Sequence, residues 1–225
     1  MNPFWLALGI GGTALQVAVI YRMIQGFHRR YPGVFFYLLV LFLTSVIDSA
    51  AAFDATGWGT AYRQHYVFNN IARHLAGLVA VLSLYFRATW NHRKRFLLRF
   101  EVLLLVVCVA GVSLYFNYHG SLDSDYIAKA GRDLSFLTAL LNLVLWFALI
   151  QSRSRERVLF LVSGGLGLNM AGEAVGQSLN AISWNLWLLA SLIGVGSHIL
   201  CLLIWLRAMK VYSLEQAAAA QAEAR

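Results

Sequence analysis

Three ionisable residues, Asp48, Arg73 and Glu173, stand inside stretches that are otherwise apolar enough to cross a bilayer. A charge at membrane depth is costly and persists mainly where it faces a protein interior or a water-filled cavity. Each of the three has polar company at helical spacing. Asn169, Glu173 and Gln177 recur every fourth residue and stack on one face. Asn69, Asn70 and His74 surround Arg73, Thr44 and Ser45 precede Asp48 by about one turn, and Arg132 and Asp133 add a further charged pair. The chemistry such a set supports is recognition: a guanidinium grips an anionic group bidentately and a carboxylate takes a cationic one. The expected site is a polar pocket with Arg73 between Asp48 and Glu173, bordered by Asn69, Asn70, His74, Asn169 and Gln177, with Arg132 and Asp133 near its mouth. The competing reading is an ion-pair network that sets helix register and binds nothing.

Other chemistries find less support. There is no GxSxG and no HExxH, and Asp123 and Asp125 are loop acids, so the chain is read as non-enzymatic. A b-type haem needs two axial ligands facing one another, and His74 with His198 is the only deep pair. Their expected depths differ by roughly 8 Å, so haem is not expected. Retinal is not expected either, because the last span has His198 near its middle and its only lysine, Lys210, at one end. His65 and His119 fall at the rim of one face, and two ligands do not define a metal site. His28 and His92 belong to basic loops.

The elements that must carry these residues follow from composition. Of 225 residues, 60% are hydrophobic and 12% charged, and the mean hydropathy is +0.64. This is an integral membrane protein by composition, not a soluble domain. Seven spans are read at about 3–24, 33–54, 66–89, 97–118, 127–151, 157–180 and 184–209, each long enough for an apolar helix to cross hydrocarbon. They form one domain over 1–212, followed by a tail at 213–225 that extends the last helix or frays. The fold class is therefore an all-α seven-helix transmembrane bundle.

Basic residues set the orientation. Arg22, Arg29 and Arg30 follow the first span. Arg87, Arg93, Lys94, Arg95 and Arg99 follow the third, Arg153, Arg155 and Arg157 the fifth, and Arg207, Lys210 and Arg225 the seventh. The alternate connections hold little besides Arg63, Lys129 and the acids Asp54, Asp123 and Asp125. The positive-inside rule then places the N-terminus outside and the C-terminus in the cytoplasm. The formal charge of +8 is thus explained by topology, and nucleic acid is not an expected partner. No basic residue precedes the first span, which reads as a retained reverse anchor and not a signal peptide. Trp5, Trp58, Trp184 and Trp187 are expected at the outer boundary, and Trp90, Trp146 and Trp205 near the inner one. In this frame Asp48, Arg73 and Glu173 share one level, roughly 6 to 8 Å outward of the midplane.

Gly164, Gly165, Gly167, Gly172 and Gly176 make the sixth span slim. Gly172 and Gly176 form a GxxxG pattern suited first to packing within the chain and second to a homodimer seam. Cys108 and Cys201 both fall inside spans and read as buried small apolar residues.

Three segments carry a resemblance: RRYPGVFFYLLVLFL leading into the second span, YRQHYVFNNIARHLAGLVAVLSLYF across the third, and SGGLGLNMAGEAVG in the sixth. In their style and spacing the chain resembles a family of uncharacterised bacterial seven-helix integral membrane proteins. More distantly, its layout is similar to the seven-helix sensing modules of bacterial signalling proteins. The resemblance implies a multi-pass protein of the bacterial cytoplasmic membrane, and carries over no binding residue. The expected function is a sensor or receptor-like module with a polar outer-leaflet pocket for a small polar ligand. Because the sequence ends soon after its last span, any output would pass through a separate membrane or cytoplasmic partner. The alternatives are a non-catalytic subunit or scaffold of a larger membrane complex and, with less support, a small-solute carrier, for which neither an internal repeat nor a proline-broken span is visible.

Overall fold

The structure, a computed structural model, describes residues 3–53, 59–90, 95–117, 124–151 and 156–223. Expectations attached to Asp54, Trp58, His92, Arg93, Lys94, His119, Asp123, Arg153, Arg155 and Arg225 lie outside these residues. So do those attached to the side chains of Trp5, Arg63, His65, Asp125 and Trp184. Among the described residues there is no strand and there are seven long helices: α1 (Pro3–Arg22), α2 (Pro32–Phe53), α3 (Gly59–Ala88), α4 (Arg95–Asn117), α5 (Ser124–Gln151), α6 (Arg157–Ile182) and α7 (Trp187–Glu223). Each is long and apolar enough to cross a membrane.

Six of these helices close a ring in the order α1, α2, α3, α5, α6, α7, with α3 also touching α6 across the middle. Helix α4 stands outside the ring against α5. Burial follows this order: 56% of the most apolar window of α6 is buried, and only 11% of that of α4. The polar stripe of α6 can therefore face protein along its length, while α4 turns Phe100, Leu104 and Val107 outward. That outward face suits lipid tails, because no water is needed to solvate it.

The glycines of α6 set how closely α7 approaches. A Cβ on Gly172 would collide with Ser197 Oγ, and one on Gly176 would lie 3.0 Å from the Ala190 carbonyl oxygen. The close approach permitted by this GxxxG pair is thus taken up within the chain, the first of the two uses expected for it. Gly165 makes room for Trp205, whose indole donates to the Val162 carbonyl at 3.0 Å. Trp205 is 2% exposed, so it is a core residue and not a member of an interfacial belt. The cysteines divide in the same way: Cys201 is buried, but Cys108 is exposed because it rides on the peripheral α4.

The first helix runs past the end read in the sequence, and the last takes one of the two courses expected for the tail, each for a local reason. The first helix continues past residue 24 through a π-helical turn (Met23–Phe27) and a short helical piece (His28–Arg30). Gly26 makes the bend with φ of 123°, in a region that L side chains avoid. The bend turns Met23, Phe27 and Tyr31 into the core. At the other end, α7 runs on to Glu223 through an Ala-rich stretch of high helix propensity, so that 213–223 continue the helix.

Replacing Gly26 by Ala should destabilise the protein by about 1 to 2 kcal/mol, since a Cβ is strained at this φ although nothing else stands within 4 Å of it. Denaturation in detergent micelles measures this, with Gly11→Ala, an unstrained helical site, as a control expected to be neutral or stabilising.

Candidate functional site

Two residues on α2 meet two on α3, one turn apart on each. Arg73 donates from Nη2 to Asp48 and from Nε to Thr44 Oγ1 at 2.7 Å, and Asn69 donates to Asp48 Oδ1 at 2.7 Å. The helices run antiparallel, so the i, i+4 pair Thr44 and Asp48 opposes the i, i+4 pair Asn69 and Arg73 in reverse order. Thr44 can accept from Arg73 because its own proton goes back to the Val40 carbonyl at 2.8 Å. The Arg73 and Asp48 side chains retain 24% and 26% of their accessible surface, so the pair is partly buried.

His74 follows Arg73 by one residue and therefore points about 100° away around α3. It faces α5 and α6. The Gln177 amide nitrogen lies 3.1 Å from His74 Nε2 and donates to it, which leaves the imidazole proton on Nδ1. Nδ1 lies 2.8 Å from Ser135 Oγ and 3.6 Å from Glu173 Oε2. Ser135 is free to accept, since it donates to the Gly131 carbonyl at 3.1 Å. Asn169 completes the stripe, donating to Tyr37 of α2 at 2.7 Å and to Glu173 at 3.4 Å. Every member of the α6 stripe thus reaches another helix or a stripe neighbour that does.

A third group joins α1 to α7. Gln16, which is 2% exposed, donates to His198 Nε2 at 2.9 Å. His74 and His198 are thus held by separate sets of partners.

Asp48, Arg73 and Glu173 all line one open cavity of about 490 Å³, together with Gln16, Ser45 and His198. The volume lies in the range of small-molecule sites. Several buried acceptors at or near it have no hydrogen-bond donor among the described residues: Glu173 Oε2, Gln16 Oε1, Asn169 Oδ1 and Gln177 Oε1. Such an acceptor is costly to bury.

The expected arrangement needs three corrections of geometry. Arg73 does not sit between Asp48 and Glu173 as an ion pair with both: its partner is Asp48, while Glu173 turns to His74, because the α6 stripe faces the side of α3 that His74 occupies. Arg132 and Asp133 do not border this cavity. They pair with each other at 3.5 Å, and Asp133 accepts from Ser113 of α4 at 2.7 Å, which places them on the outer side of α5. Asn70 lies against the α5 backbone, where a Cβ on Gly131 would come within 3.0 Å of its amide nitrogen. Gln16, Tyr37, Ser135 and His198 were not recognised as part of this set. Gln16 carried a readable signal, being a lone amide in an apolar span; Tyr37 and Ser135 carried none, since both are ordinary in membrane helices.

The fold and its polar interior define a multi-pass membrane protein built as a seven-helix bundle. No family model matches the chain, and no curated protein and no solved structure matches it.

Removing one partner of the α2–α3 pair should cost more than removing both. Asp48→Leu, which strands Arg73, should lower stability by about 3 to 5 kcal/mol, and Asp48→Leu with Arg73→Met should recover most of that loss. Thermal unfolding in a fixed detergent compares the two variants.

Proposed function

We propose that the chain is a sensor or receptor-like module of a bacterial inner membrane, with its N-terminus outside, and that the cavity lined by Asp48, Arg73 and Glu173 takes a small polar ligand. The observation that carries this reading is the convergence of α2, α3 and α6 on one open polar cavity. The Asp48 carboxylate is already matched by Arg73 and Asn69, whereas Glu173 keeps an oxygen without a donor. The ligand group best suited to the vacant acceptor is an ammonium or another small cationic donor, and the polar wall of Gln16, Ser45 and His198 suits a zwitterion.

The route from cavity to protein is short. A cation on Glu173 competes with its contact to His74, and His74 is the residue through which α3 holds α5 and α6. Loosening that contact biases how the three helices pack, which is the kind of two-state shift that membrane receptors use. The basic end of the bundle, including Arg95 and Arg157, would present the change to a separate partner.

A panel of small amines, amino acids and betaines, read by thermal shift of the purified protein, should contain stabilising members. Glu173→Gln should weaken their binding tenfold or more, equivalent to about 1.4 kcal/mol. Gly12 lines the cavity and a Cβ there meets nothing within 4 Å. Gly12→Phe should therefore abolish binding while leaving the unfolding temperature close to that of the parent. Uptake of the same compounds into proteoliposomes would identify a carrier instead, and a co-purifying membrane complex with no ligand response would identify a subunit. A panel that binds both variants as it binds the parent removes the proposal.

A further inference from the structure

At the opposite end of the bundle, three arginines from three different helical segments converge. Arg30 follows the bend at Gly26, Arg87 closes α3, and Arg99 lies one turn into α4. All three line a cavity of about 680 Å³ that is separate from the polar cavity described above. Each guanidinium is held in place. Arg30 lies over the Tyr212 ring at 5.2 Å and Arg87 over the Tyr31 ring at 5.0 Å. Arg99 lies between the rings of Phe86 and Trp90 at 5.2 and 5.3 Å and donates to the Phe86 carbonyl at 2.8 Å. Aromatic stacking restrains a long side chain without using up its donors.

Charge and hydrogen bonding are both out of balance here. Among the described residues, the one acid lining the cavity, Glu156, lies 3.5 Å from Arg30 and 3.6 Å from Arg87, so three positive groups face one negative group there. The Nε of Arg30 and of Arg99 is buried without a hydrogen-bond acceptor among the described residues, and the buried Nε of Arg87 faces Glu156 Oε2 at 3.6 Å. A buried donor without an acceptor costs free energy that an incoming anion would recover. The rest of the wall is mixed: Leu84 and Pro32 are apolar, and Ser83 and Trp90 are suited to a membrane boundary.

We propose that this cavity is a phosphate-binding site, taking the phosphate of an anionic phospholipid headgroup or a phosphate free in solution. Guanidinium groups fixed from three directions match the several oxygens of a phosphate, and the apolar strip beside them leaves room for the start of a lipid's glycerol and acyl region. Because Arg30, Arg87 and Arg99 belong to segments adjoining α1, α3 and α4, the anion would tie the peripheral α4 to the ring. This proposal does not depend on the ligand reading of the opposite cavity.

The test uses the purified full chain in a neutral detergent, with phosphatidylglycerol, phosphatidylcholine and inorganic phosphate as probes, read by native mass spectrometry for retained lipid and by thermal shift. Phosphatidylglycerol should be retained at least fivefold more than phosphatidylcholine, and Arg99→Gln should remove that preference. Lys210→Gln, an equal loss of charge at an exposed residue, should leave it unchanged. Glu156→Gln removes the competing carboxylate and should strengthen retention several-fold, a change of sign that a purely structural role for the cluster does not produce. Stabilisation by millimolar inorganic phosphate, lost in Arg99→Gln, would assign the site to free phosphate, and stabilisation by the lipid alone would assign it to the headgroup. Equal loss of lipid preference in Arg99→Gln and Lys210→Gln, or no preference for either phosphate source over phosphatidylcholine, overturns the proposal.

Discussion

A charge inside hydrocarbon must find its counter-charge within the protein, and the arrangement of this bundle turns on that constraint. Arg73 and Asp48 could each be accommodated only where the other is present, and Thr44 and Asn69 absorb the hydrogen-bonding capacity that the ion pair leaves over. Because the four residues come as two i, i+4 pairs, one relative height of α2 and α3 satisfies them all. A shift of one turn would strand a guanidinium against lipid or leucine. Register between these helices is therefore specified by polar chemistry, in a medium where apolar packing alone discriminates weakly.

The third helix carries this constraint into the rest of the fold. Successive side chains on α3 diverge by about 100°, so Arg73 addresses α2 and the cavity while His74 addresses α5 and α6. The same helix ends in Arg87, fourteen positions beyond Arg73 and so about 21 Å along the axis, at the basic cluster with Arg30 and Glu156. One rigid element thus touches both polar regions. Between them lies a core of Leu, Val and aromatic side chains in which Trp205 fills the space that Gly165 of α6 leaves open and Tyr37 packs beside Gly77 of α3.

Much of the architecture was legible because bilayer chemistry is strict. Helix number and approximate extent follow from the length of the apolar runs. The inward aim of Asn169, Glu173 and Gln177 follows from their spacing together with the cost of a carboxylate in lipid. Where the reading failed, the missing quantity was the azimuth of one helix relative to another. Asp133 lies in the same span as Ser135, yet it turns toward α4 while Ser135 turns toward His74, and Arg132 pairs with Asp133. Cys108 and Trp205 were misplaced for the same reason: the apolar character of a span does not say whether a given side faces protein or lipid. The bend at Gly26 was hidden because the first span was read as ending near residue 24, and a glycine in a connection does not distinguish a bend that continues the helix from a loop; only the backbone dihedral does.

Composition and spacing by themselves determined that this chain is a seven-span membrane protein with costly polar groups in the spans, since both follow from the free energy of transferring single side chains into hydrocarbon. Which of those groups meet was decided by tertiary structure alone. Ion pairs and hydrogen bonds act over a few ångströms, and whether Arg73 meets Asp48, Glu173 meets His74, or Gln16 meets His198 depends on the order of helices around the ring and the rotation of each about its own axis. No local pattern in the chain encodes those two quantities.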